Sequence, residues 1–182
     1  MKGIIFNLLE EFVQRELGAD AWDAVLASAG SEGVYTSLGN YPDAELSALV
    51  GEISARLGQS DEDTLRAFGA AALQRLAERY PVFFRGHQSI QSFLPTLNDV
   101  IHKEVRKIYA GAEAPDFGYA HASEGHFVLT YSSARGLCAL AEGFIHGAAA
   151  FYEEAAALQQ LECMHRGDAR CVFDISFRKR AS

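Results

Sequence analysis

The sequence predicts an α+β fold: a helical N-terminal half followed by a small antiparallel sheet with packed helices. Three observations carry this. Apolar residues recur at three- and four-residue intervals as far as Tyr80, and two-residue alternation begins only after Pro115. The short polar segments "SEG" and "HRGDA" lie where hairpins between such alternating runs would turn.

In the first helix Ile4, Ile5, Leu8, Leu9, Phe12 and Val13 form one stripe, and Gly18 stands where a helix would stop. A second helix runs from a candidate cap at Asp20 to "SAGSEG", and a third follows "YPDAEL" through Leu57. A fourth starts at "SDEDTL", where Ser60 and Asp63 resemble a capping box, and continues to Tyr80 before Pro81. Between Pro95 and Ala110 another helix places Leu97, Ile101, Val105 and Ile108 on one face, and "AGAEAP" breaks it. "FGYAHA" and "HFVLTYSS" are expected to pair, "GLCALAEGFIHGAAAFY" is a buried helix rich in small residues, and strands near 155–164 and 170–177 close the chain. There is no internal repeat and no linker, so residues 1–182 are expected to be one domain.

Composition excludes several classes of function. The 182 residues are 49% hydrophobic and 22% charged, enough for a sizeable core. A net charge of −8 argues against a nucleic-acid backbone as partner, and the basic tail at Arg178, Lys179 and Arg180 reads as a solvated terminus. Glu10 and Glu11 interrupt the first apolar stretch, so it does not read as a signal peptide, and no apolar run is long enough to span a bilayer. Three cysteines do not make a disulfide framework, and a cytoplasmic location is expected.

The chemistry begins at "YSSAR". On an extended chain Tyr131, Ser133 and Arg135 point the same way, and all three donate hydrogen bonds, one with a permanent charge. Such a triplet suits a ligand with carboxylates or phosphates; the bland alternative is a polar strand end. Of six histidines, His102 lies inside a helix at the edge of its apolar stripe. Alone it reads as a boundary residue. Together with the triplet it fits haem, whose iron takes a neutral imidazole and whose propionates need donors and positive charge.

The opening "MKGIIFNLLEE", the helix "DVIHKEVRKIY", Pro115, the Tyr-x-Ser-x-Arg form of "YSSAR", "CALAEGF" and "CMHRGD" occur in this order along nearly the whole chain. In these features the sequence resembles the haem nitric oxide/oxygen-binding domain family, bacterial relatives of the sensor domain of soluble guanylate cyclase. The resemblance implies haem b enclosed between the helices and the sheet, with His102 as proximal iron ligand and Tyr131, Ser133 and Arg135 on the propionates. It also implies that Pro115 presses on the porphyrin and holds it distorted; by itself, Pro115 is only a helix terminator. Signalling would start from a change at the His102–iron bond and pass to a histidine kinase or a cyclic-di-GMP enzyme.

Gas choice rests on distal polarity, because bound dioxygen needs a hydrogen-bond donor and nitric oxide does not. Family members that hold dioxygen resemble one another in a distal tyrosine, and the matching position here is Leu140. With Phe144, Ile5 and Leu9 it would form an apolar lid, implying a sensor of nitric oxide, also able to take carbon monoxide, that excludes dioxygen.

Some relatives bind zinc through three cysteines and a histidine. The cysteines match Cys138, Cys163 and Cys171, but the histidine position is Gln160, and His165 is the nearest substitute. Without zinc, these thiols offer a redox input. Two further alternatives are a haem enzyme, which would need a distal acid or base, and a non-haem binder of small organic anions. A helical front half serving only as a protein-interaction surface would leave the triplet and His102 unexplained. His87, His121, His126 and His146 receive no role, though His146 shares a helix with Leu140.

Overall fold

A computed structural model describes residues 1–103, 107, 115–123 and 126–179. Helix α1 (Gly3–Leu17) ends at Gly18, whose φ of 101° only glycine adopts without strain. Helices α2 (Ala21–Ala29), α3 (Asp43–Leu57) and α4 (Asp61–Arg79) follow. The Ser60 hydroxyl caps α4 by accepting from the Asp63 N–H at 3.1 Å. Asp20 does not cap α2: its backbone is already helical (φ −89°, ψ −3°), and a capping side chain needs an extended residue behind it.

Beyond Tyr80 lie a 3₁₀ turn (Pro81–Phe83) and the single-turn α5 (Ile90–Phe93). Next comes α6 (Leu97–His102), wound as a π-helix rather than the ordinary α-helix expected from periodicity. Lys103 and Lys107 are also helical, whereas Val105, Ile108 and most of the expected break lie outside the described residues.

Strands β1 (Asp116–Ser123) and β2 (His126–Ser132) precede α7 (Cys138–Phe151), and β3 (Glu154–Glu162) and β4 (Cys171–Lys179) complete the chain. The sheet is four-stranded and antiparallel in the order β1-β2-β4-β3. Its interior strands are β2 and β4, and on β2 Phe127, Leu129 and Tyr131 are buried at alternate positions. No helix among the described residues is long and apolar enough to cross a membrane.

Two apolar cores result. Phe6, Leu9, Phe12, Leu49, Ile53 and Phe68 centre one among α1 to α4; Phe93, Phe127, Leu129, Ile145 and Phe173 centre the other between α7 and the sheet. Each fully buried Leu or Phe contributes about 1.5–3 kcal/mol. Helices α4 and α7 join the cores because glycine lets their backbones touch. A Cβ on Gly143 would stand 2.2 Å from the Arg66 carbonyl oxygen, and one on Gly147 2.7 Å from that of Ala70. Arg66 Nε donates to Glu142 at 2.6 Å, and Gln74 donates to the Gly147 carbonyl at 2.8 Å, sealing both ends of the contact.

Gly143→Ala should therefore separate α4 from α7, at a cost of about 1–3 kcal/mol for overpacking. Thermal unfolding followed by circular dichroism should show the midpoint fall by about 2–10 °C; an unchanged midpoint would contradict the backbone contact.

Candidate functional site

Between the two cores lies a cavity of about 410 Å³, walled almost wholly by carbon. Ile5 of α1, Leu73 and Leu76 of α4, Phe93 of α5, Leu97 of α6, and Leu140 and Phe144 of α7 face it. Four of its polar lining groups are His102, Tyr131, Ser133 and Arg135.

The triplet converges, though not as an alternating strand. Strand β2 stops at Ser132; Ser133 opens a turn closed by the Gly136 N–H on the Ser133 carbonyl at 3.1 Å, with Gly136 at φ 62°. Two-residue spacing thus accounts for Tyr131, and the turn carries Ser133 and Arg135 to the same cavity edge. The Tyr131 hydroxyl accepts from the Leu137 N–H at 3.1 Å and bonds to Ser133, whose own hydroxyl accepts from the Arg135 N–H at 3.3 Å. Burial raises the Tyr131 phenol above its ordinary value, keeping it a neutral donor at physiological pH.

Arg135 also reaches across the cavity mouth, where its Nε donates to Asp43 at the start of α3 at 2.9 Å. The Met1 amine donates to the same carboxylate at 2.7 Å. Partial burial alone would raise Asp43, but the Met1 amine and Arg135 outweigh it and hold the carboxyl below its usual range. No local sequence pattern links positions 43 and 135, so sequence reasoning missed this pair.

His102, half-buried on α6, stacks against Phe117 of β1 with ring centroids 5.6 Å apart and planes 26° from parallel. One turn earlier, the Asn98 amide grips β1 from both sides: Nδ2 donates to the Phe117 carbonyl, and Oδ1 accepts from the Phe117 N–H at 3.3 Å. Asn98 was legible in principle, since it shares a helix face with His102 at i, i+4. Pro115, just before β1, lines the same cavity.

Opposite, the wall contains Ile5, Leu140 and Phe144, joined by Ile145 and Leu73. Leu9 differs from expectation. It is fully buried in the helical core and does not face the cavity; four residues after Ile5, it lies behind the wall. Tyr80, at the end of α4, adds a phenol to the lining that the sequence reading did not weigh.

Cys171 pairs with Tyr131 across the sheet, and its sulfur lies within 4.8 Å of those of Cys138 and Cys163, all three buried and none in a disulfide. Burial pushes the Cys138 thiol up to about 12, with the neighbouring Cys171 adding to it. Cys163 moves the other way: burial would raise it, but the His165 and Arg166 backbone N–H groups and the two other cysteines lower it. His165 is no substitute zinc ligand, because its Nε2 lies 2.6 Å from the Gly136 carbonyl on the exposed side. The fourth position holds Gln160, whose buried Nε2 faces Cys138. Closed zinc sites use four thiolate, imidazole or carboxylate donors, and the described residues supply three, so they do not fit structural zinc.

The larger cavity does fit haem. An imidazole faces a carbon-lined space, and a cation, a phenol and a hydroxyl cluster at its polar edge, which matches a porphyrin with an axial metal and an acidic rim.

A family model described as haem-NO-binding matches residues 2–160. No curated protein matches the sequence. The structure is similar to that of an H-NOX protein from Shewanella oneidensis in its Fe(II)NO state, with 32% identity, a TM-score of 0.92 and coverage of 98% of this chain and 100% of that one. It is similar to an H-NOX domain of the same organism in the Fe(II)CO state, at 32% identity, TM-score 0.90 and coverage of 99% and 100%. An unliganded Fe(II) H-NOX protein from K. algicida is 26% identical, with a TM-score of 0.88 and coverage of 100% and 99%.

The Asp43–Arg135 link sets a pH dependence. Asp43 is depressed in the folded state, so its contribution is fully present above the ordinary carboxylate value and is lost as pH falls through the lower folded value. Stability measured by urea unfolding should fall on acidification into that range, and Asp43→Asn should remove part of the fall; identical pH profiles would dismiss the link.

Proposed function

The chain belongs to the haem-NO-binding family, and from that premise we propose that residues 1–182 act as one nitric oxide-sensing unit built on haem b. Haem supplies a ferrous iron that takes nitric oxide or carbon monoxide. The observation that carries this reading is the convergence of His102 and the Tyr131, Ser133 and Arg135 edge on one carbon-lined cavity.

In this reading His102 would hold the haem iron, its ring stacked on Phe117 and its helix fixed to β1 by Asn98. Tyr131 and Ser133 hold the propionates as neutral donors. Arg135 adds charge that it shares with Asp43. Pro115, which lines the same cavity as His102, would press on the bound porphyrin. Ile5, Leu140 and Phe144 offer no donor of their own, so they would give dioxygen no stabilisation, while nitric oxide needs none. Leu9 supports that wall from behind.

Signalling runs through His102. Helix α6, which carries His102 and is tied to β1 through Asn98, would be the two-state element a switch requires. The output passes to a partner, a histidine kinase or a cyclic-di-GMP enzyme, in the cytoplasm. The unit is a sensor and not an enzyme in this reading: Ile5, Leu140 and Phe144 supply no acid or base of their own for turnover. Assays of each partner class with nitric oxide-loaded and unligated protein test this, and equal effects of the two forms would remove the switch.

Two predictions follow from the pocket. Haem titrated into the apoprotein should give a sharp Soret band at one equivalent, and His102→Ala should lose axial imidazole ligation unless free imidazole is added; a chain that stays colourless would remove the reading. Reduced protein exposed to air should show no persistent gas-bound spectrum, and Leu140→Tyr should create one. A persistent form in the unaltered protein that Tyr80→Phe abolishes would overturn the distal assignment.

A further inference from the structure

The three cysteines come from separate elements: Cys138 opens α7, Cys163 follows β3, and Cys171 opens β4. The fold nevertheless brings their sulfurs within 4.8 Å of one another. At metal–sulfur bonds of about 2.3 Å, two sulfurs on one atom stand no more than about 4.6 Å apart, so a central atom would draw the three slightly together. Among the described residues no fourth thiol, imidazole or carboxylate joins them. Gln160 presents an amide there, His165 is turned onto the Gly136 carbonyl at 2.6 Å, and Asp168 accepts from the Cys163 N–H at 2.7 Å.

Charge narrows the occupant. Three thiolates bring three negative charges into a buried site. The nearby Arg166 guanidinium is exposed and donates to the Gln160 and Leu161 carbonyls, so it does not neutralise them. A divalent tetrahedral ion would lack its fourth ligand among the described residues, and a monovalent soft ion would leave the larger net negative charge in the buried site. A trivalent centre leaves none, and one that carries a lone pair needs no fourth ligand.

We propose that Cys138, Cys163 and Cys171 form a three-sulfur site for a trivalent thiophilic centre of the arsenite class. Binding exchanges ligands without redox change. Three arsenic–oxygen bonds break and three arsenic–sulfur bonds form, and each displaced hydroxide leaves as water with one thiol proton. The product ties α7, the β3–β4 turn and β4 through one atom. The proposal stands apart from the haem reading, because none of the three cysteines lines the larger cavity.

The test uses the full haem-loaded chain, titrated separately with sodium arsenite and zinc chloride and followed by native mass spectrometry and sulfur charge-transfer absorbance. One arsenic per chain should survive dialysis, with a mass gain of one arsenic less three hydrogens, and Cys163→Ser should lose that three-sulfur adduct and leave at most a weaker two-sulfur one that retains a hydroxide. Gln160→His should strengthen zinc binding by about tenfold or more, since it supplies the missing donor, without strengthening arsenite binding. Three outcomes would overturn the proposal: dialysis-resistant zinc in the unaltered protein that arsenite cannot displace, no retention of arsenite, or retention unaffected by Cys163→Ser. Because Gln160→His keeps all three cysteines, it remains informative if the serine variant folds poorly.

Discussion

The direct contact of the α4 and α7 backbones determines where every other part of the molecule lies. At Gly69, Gly143 and Gly147 no side chain separates the helices, so the two cores are joined along one seam and diverge beyond it. The carbon-lined cavity occupies that divergence. Because α7 starts immediately after the Ser133–Gly136 turn, its register on α4 also fixes how far the Arg135 guanidinium stands from α3. A seam built from absent side chains tolerates no added volume.

Much of this was legible in the sequence where one local rule acted alone. Ser60 caps α4 because hydroxyl, spacing and extended backbone agree, and the α1 stripe names its buried face. Asp20 shows the limit: the residue type suits a cap, but its backbone does not. Leu9 and Ile5 share a stripe, and periodicity cannot tell which of two inward residues meets a cavity and which the core behind it. Ser133 and Arg135 reach the same cavity as Tyr131 through a tight turn rather than the strand alternation expected, since both geometries return side chains to one side.

What stayed illegible depends on pairs far apart in the chain. Asp43 meets Arg135, and Asn98 meets the backbone of Phe117, contacts that exist only once helices and sheet have docked. The π winding of α6 likewise has no signature in apolar spacing. The cysteines gave the opposite result. Sequence named the three that converge but offered His165 as the fourth donor, and a backbone carbonyl has claimed that imidazole instead.

The two-sided grip of Asn98 on Phe117 makes α6 and the outermost strand a single lever. Rotation at the helix cannot be absorbed locally by a sliding side chain, because both backbone groups of one strand residue are held at once. Any torque on that helix is delivered to the open border of the sheet.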